Sequence, residues 1–145
     1  YRHANVDTRC TFCVKRREIN PHREDFKHLF IDCPALLQLT REYFDRMFEL
    51  DYRVDDESCR IFKVTGIKEN VTSSAKHFNT LNILIFNYVI WQYRLKKIIP
   101  SIATLDLEID TIFDSVAGFK KNEESILTCD AAICRRWRER HNRRG

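Results

Sequence analysis

Residues 10–37 read CTFCVKRREINPHREDFKHLFIDCPALL, and this stretch decides how the chain begins to fold. Cys10 and Cys13 have two residues between them, the spacing at which one tight turn presents both sulfurs to a single ion. His28 and Cys33 supply a second pair downstream, so the full pattern is C-x2-C-x14-H-x4-C. Three thiolates and one imidazole complete a tetrahedron, which marks a structural zinc because no position stays open for water. On an unbroken α-helix His28 and Cys33 would point about 140° apart at 3.6 residues per turn. Pro34 removes that obstacle by pushing Cys33 out of the α region. The spacing thus predicts a helix that opens at Asn20 and Pro21, with a side-chain cap and a ring suited to the first helical position. It ends by Asp32, and Cys33 turns back toward the ion. One structural Zn²⁺ held by Cys10, Cys13, His28 and Cys33 is the expectation. His22 is a poorer nitrogen donor because it lies at the helix start, far from Cys33. Two ordinary buried thiols are the competing reading of Cys10 and Cys13, but Arg9, Lys15, Arg16 and Arg17 surround them with charge.

Outward from this segment the pattern is helical. In 34–50, apolar residues at Leu36, Leu37, Leu39, Tyr43, Phe44, Met47 and Phe48 recur at the spacing of one helix face. Residues 50–58 are polar and acidic and read as a loop, and 59–64 read either as a short strand or as a helical turn ending near Gly66. A long central core helix is expected over 72–99, from Phe78, Leu81, Leu84, Ile85, Tyr88, Val89, Trp91, Gln92 and Leu95, closed by Pro100. Another follows from Ser101, marked by Ile102, Leu105, Ile109, Ile112, Phe113 and Val116 and stopping near Gly118. Asn122 caps a final one, with Ile126, Ile133 and Trp137 along one side. The fold class is mostly α: four to five helices around one core, with a zinc-organised loop at the N-terminus. The expected layout is a single domain over 1–145, with a zinc-binding segment at 8–34, a helical core at 35–133 and a basic segment at 134–145.

Composition agrees with a folded domain. The 145 residues are 43% hydrophobic and 32% charged, with only three Gly and three Pro, which leaves little room for low-complexity sequence. The apolar run 81–91 is interrupted by Asn82 and Asn87 and meets Arg94, Lys96 and Lys97, too short for a membrane span of about 20 residues. The chain opens on Tyr1 with no basic-then-apolar leader, which predicts a piece of a longer intracellular polypeptide. Six cysteines in that setting point to metal binding rather than disulfides, with Cys59, Cys129 and Cys134, which lack the metal spacing, as buried free thiols.

Net charge is +4, but its distribution matters more than its total. Residues 134–145 carry six Arg against one Glu, whereas the rest of the chain has 19 Lys and Arg against 20 Asp and Glu. Arg135, Arg136, Arg138 and Arg140 therefore form an electrostatic footprint for phosphates, which Lys15, Arg16 and Arg17 extend if the zinc loop lies beside the tail. A solubilising tail is the plainer reading of the same charges.

The segment CTFCVKRREINPHREDFKHLFIDCP resembles the zinc-binding segment that follows the polymerase domain in reverse transcriptases of non-LTR retrotransposons, through Cys10, Cys13, His28-Leu29-Phe30 and Cys33. NILIFNYVIWQYRLKKIIPS is similar to that family's apolar helix with an aromatic near its middle and basic residues after it. The resemblance implies a nuclear, C-terminal module of a retroelement polyprotein. Such a module grips template RNA or target DNA during target-primed reverse transcription, and its partners are nucleic acid and the polymerase domain of the same chain. It does not imply polymerase activity, since no Tyr-x-Asp-Asp motif is present. The endonuclease core that follows in some relatives is also unmatched: Asp25-Phe26-Lys27 is the one tempting D-x-K, and no Pro-Asp precedes it.

Other catalytic constellations are weak. Asp106, Asp110 and Asp114 form an i, i+4, i+8 stripe that could hold Mg²⁺, but a solvated acidic helix face is the ordinary explanation. No Gly-rich phosphate loop, G-x-S-x-G or H-E-x-x-H occurs. The expectation is a domain that is not an enzyme. The alternative to nucleic-acid binding is a protein-interaction module whose aromatic-rich helices dock onto a polymerase domain, with an incidental Arg tail.

Overall fold

Pro34 opens the first long helix at the position where a proline's missing N–H leaves no bond unmade, and the helix runs over Pro34–Phe48. The computed structural model describes residues 9–18, 23–67 and 73–121. They are mostly helical. We number the α-helices α1 (Thr11–Lys15), α2 (Pro34–Phe48), α3 (Glu57–Thr65), α4 (Ser73–Lys96) and α5 (Ile102–Lys121), with a π-helical turn at His28–Asp32 between α1 and α2. The expected final helix with Ile126, Ile133 and Trp137, the segment 134–145, Cys129 and Cys134 lie outside the described residues.

Each boundary has a local cause. Asp56 caps α3, its Oδ1 accepting from the amide of Ser58 at 2.8 Å, and the loop before it is the expected polar one. The ambiguous stretch 59–64 is thus helical, and Gly66 ends it at φ +69. A side chain at Gly66 would sit 2.5 Å from the Thr80 amide nitrogen, so the glycine also lets α3 end against α4. The α4 helix stops earlier than Pro100 requires. Lys97 takes a left-handed conformation, its amide donates to Arg94 O at 3.1 Å, and the Ile98 amide donates to Tyr93 O at 3.1 Å, a Schellman closure built without glycine. Conversely α5 does not stop near Gly118 but continues to Lys121; a glycine inside a helix costs only about 1 kcal/mol, too little to end it.

The core is one cluster in which α2, α3, α4 and α5 bury Tyr43, Phe44, Phe62, Phe86, Ile90, Leu105, Ile109 and Phe113, joined by Phe12 from α1 and Tyr52 from the loop. One expectation about α4 is corrected here. Phe78, Ile85 and Val89 are buried as expected, but Leu84, Tyr88, Trp91 and Leu95 are exposed, and Ile83, Phe86, Ile90 and Tyr93 face the core instead. The helix is apolar on more than one side, so its period identified a stripe without saying which stripe was inward. The polar interruptions Asn82 and Asn87 work internally: Asn82 Oδ1 accepts from the Tyr43 hydroxyl at 2.6 Å, and Asn87 Oδ1 accepts from the Lys63 ammonium. The acidic stripe on α5 is also not simply a solvated face, because Asp106 is buried and ion-paired with Arg46.

Lys63 is buried to 2% exposure, and burial alone pushes its ammonium down to about pKa 7. Between that value and the ordinary lysine value the unfolded chain holds one more proton than the folded one, so this group makes stability rise with pH. From about pH 7 to 8.5 the contribution is about 1–2 kcal/mol. Urea unfolding at both pH values is expected to show that rise in the wild type and its loss in Lys63→Met; equal pH slopes in the two proteins refute it.

Candidate metal centre

The site is assembled from three short pieces. Cys10 precedes α1 and Cys13 lies within it, and α1 is tied off at once: the Arg17 amide donates to Val14 O at 3.1 Å and the Glu18 amide to Cys13 O at 3.0 Å, with Arg17 left-handed at φ 55. This closes a compact knuckle whose Phe12 is driven into the core while Lys15, Arg16 and Arg17 stay exposed. An isolated backbone bridge between Arg9 and Arg23 then ties the start of the knuckle to the chain returning toward His28.

That return differs from the expected helix. The expected start at Asn20 and Pro21 lies outside the described residues, but Arg23 sits in a backbone bridge and Glu24 and Asp25 are not helical, so 23–25 are not part of a helix. The cap is Asp25, whose Oδ1 accepts from the His28 amide at 2.7 Å while its carbonyl accepts from the Leu29 amide at 2.9 Å. The chain then widens into the π-helical turn at His28–Asp32. In such a turn the bonding runs from i to i+5, which brings residues five apart toward one side and removes the divergence an α-helix imposes. Lys27 and Asp32, also five apart, meet across it at 3.6 Å. Cys33 leaves the helical region at φ −57 and ψ 113, as Pro34 requires, and caps α2 at the end where a helix favours a negative sulfur.

The result brings together all four expected ligands. Cys10, Cys13, His28 and Cys33 are buried, and their donor atoms lie within 4.8 Å of one another. Cys10 Sγ and Cys13 Sγ each lie 3.7 Å from Cys33 Sγ, and Cys13 Sγ lies 3.4 Å from His28 Nε2. A tetrahedron with metal–sulfur bonds of about 2.3 Å and a metal–nitrogen bond of about 2.0 Å has edges of roughly 3.5–3.8 Å. Those three separations are close to the edges of such a polyhedron, and the group could hold one metal ion.

Electrostatics point the same way. A hydrogen bond from Cys33 holds the Cys10 thiol down at about 5 against the opposing effect of burial, with backbone amides of Cys13 and Phe12 adding to it. That same hydrogen bond, burial and the charge on Cys10 drive the Cys33 thiol far up. Two sulfurs here share one proton, and a cation in the proton's place satisfies all the sulfurs at once. The knuckle is anchored to the bundle by Glu24, which ion-pairs with Arg94 of α4 and accepts from the Thr11 amide at 3.4 Å. Tyr52 adds a second anchor, donating to Ile31 O at 3.5 Å. Glu24 and Tyr52 carry no motif, and their roles depend on partners tens of residues away. Asp25 was available to sequence reasoning as a capping residue.

Cys59 is a buried free thiol that donates to Asp51 O at 3.6 Å, away from the centre, as its isolated position suggested. His22 and the arginines Arg135, Arg136, Arg138 and Arg140 lie outside the described residues. Among those residues no helix is long and apolar enough to cross a membrane. Fold and site together define a mostly helical domain with a buried Cys3His group suited to a metal ion. Comparison with protein-family models, curated proteins and solved structures finds no match to this chain.

Proposed function

We propose that this chain is a non-catalytic, zinc-stabilised nucleic-acid-binding module of the kind that follows the polymerase domain in non-LTR retrotransposon reverse transcriptases. The observation that carries the reading is the buried Cys3His cluster, formed by Cys10, Cys13, His28 and Cys33, the four donor residues of the segment that carries the resemblance. Soft sulfur and imidazole donors select zinc over magnesium or calcium, and four protein ligands leave no coordination site for substrate water. The zinc then serves architecture: it fixes a knuckle that presents Lys15, Arg16 and Arg17 to solvent. Together with Arg135, Arg136, Arg138 and Arg140 these residues supply the cations that hold template RNA or target DNA, in a nuclear polyprotein whose polymerase domain does the chemistry.

The test is binding of duplex DNA and single-stranded RNA at several salt concentrations. Each phosphate contact contributes about −0.9 to the log–log slope on duplex and about −0.7 on single strands. Replacing Lys15, Arg16 and Arg17 with Ala is expected to flatten the slope by about 2–3, and replacing Arg135, Arg136, Arg138 and Arg140 with Ala by about 3–4. Unchanged affinity and slope in both variants overturn the reading. So does Mg²⁺-dependent DNA cleavage that disappears in Asp110→Ala.

A further inference from the structure

The exposed stripe of α4 does not stand alone. Leu84 and Tyr88 are 58% and 54% exposed, and with Trp91 they form one wall of a groove of about 680 Å³. The facing walls are Phe26 and Phe30 from the chain around the π-helical turn and Val64 from α3. Phe26 is 80% exposed, a large apolar surface to leave in water. Arg94 packs 4.6 Å from the Trp91 ring and steadies that wall.

The groove also contains a buried amine that an anion beside it would keep protonated. Lys63 lines it, yet is buried, with its ammonium donating to Asn87 Oδ1 and lying 4.4 Å from the Phe86 ring centroid and 5.8 Å from that of Phe44. An ammonium has three donors, and among the described residues no carboxylate pairs with this one. Buried charges are ordinarily paired. Asn87 and Lys27 also line the slot, but Lys27 already pairs with Asp32 and no carboxylate is among the lining residues, so the group missing beside Lys63 is one anion brought in by whatever fills the slot.

We propose that this groove is a docking site for an amphipathic helix of a partner protein, whose apolar face carries a single carboxylate that meets Lys63. The stripe Leu84, Tyr88, Trp91 and Leu95 extends about 16 Å along α4 at 1.5 Å per residue, the length of three helical turns. A second copy packed groove to groove fits poorly, because the lining holds no carboxylate to meet the Lys63 of the other copy. A nucleic-acid strand fits poorly as well, since its phosphates would leave water for a slot whose walls are mostly apolar and whose one exposed cation, Lys27, already pairs with Asp32. The proposal is independent of the nucleic-acid reading, which uses other residues.

The experiment pans the full 145-residue chain, loaded with zinc, against displayed random 16-residue peptides, with the double variant Leu84→Asp, Tyr88→Asp as counter-target. Both positions are exposed, so the double variant is expected to keep its melting temperature. Enrichment of peptides with apolar residues at helical spacing and one Asp or Glu is expected. A synthetic peptide of that kind is expected to bind the wild type and to lose affinity at least tenfold when its acid is changed to the amide. Lys63→Met removes that difference, and the double variant removes binding. Enriched peptides indifferent to the double variant overturn the proposal, as do peptides that bind equally as acid and amide, a comparison needing no change to the protein. Binding of oligouridine that is lost in the double variant, with no peptide enriched, assigns the groove to nucleic acid and also overturns it.

Discussion

Stripping the metal from the domain is expected to unfold the whole segment from Arg9 to Cys33 and to lower the stability of the helices packed on it. Binding free energies at structural zinc sites of this donor type are about 10–16 kcal/mol near neutral pH, and they are coupled to folding because the unfolded chain has no preformed site. A domain of this size has a net stability of only about 5–15 kcal/mol, so the ion is comparable to the whole margin. The geometry shows why the remainder could not hold the segment. Among the described residues between Arg9 and Cys33 the named elements are a five-residue helix, one backbone bridge and one π-helical turn, none of which is stable alone. Metal analysis of the purified domain is expected to give one zinc per chain, and Cys13→Ser is expected to lose zinc and melting temperature together. Cys59→Ser, at a buried thiol away from the cluster, is expected to retain full zinc content. A metal-free protein with the wild-type melting curve refutes the proposal.

The ligands were legible because metal chemistry is local in sequence. The C-x2-C pair and the proline after Cys33 announce a turn at each end of the site, and the structure places the donors where those turns lead. The backbone between them was not legible. A continuous α-helix forbids the His28 and Cys33 pairing; the helical turn does end at Asp32 as expected, but it is also widened after a cap at Asp25, which the sequence did not announce. Propensities barely separate an α-turn from a π-turn, so the choice falls to tertiary contacts such as Tyr52 on Ile31 O. The inward face of α4 was hidden for a different reason. Its polar residues Asn82, Asn87 and Arg94 all have structural partners, so polarity did not mark the outer side. The groove followed from that same inversion, and only the structure reveals it.

Phe44→Ala is expected to be the most damaging single substitution away from the metal ligands. Phe44 is fully buried, and its ring centroid lies 5.0 Å from Tyr52, 5.3 Å from Phe48, 5.6 Å from Phe86 and 5.9 Å from Phe62. All four contacts are edge-to-face, the arrangement in which aromatic pairs add about 0.5–1.5 kcal/mol beyond burial of area. One ring thus joins α2, α3, α4 and the loop that carries Tyr52. Truncation leaves a cavity whose walls belong to separate helices and cannot all close on it, so the loss is about 3–5 kcal/mol, with a fall in melting temperature of roughly 10–20 °C. Because Tyr52 also steadies the π-helical turn, the damage is expected to reach the metal centre as faster zinc release to a chelator, although Phe44 touches no ligand. Phe26→Ala, at a ring that is 80% exposed, is expected to change stability by less than about 0.5 kcal/mol. Urea titrations of the zinc-loaded proteins, with release followed by a colorimetric chelator, read both effects; a loss below about 1 kcal/mol in Phe44→Ala contradicts this account of the core.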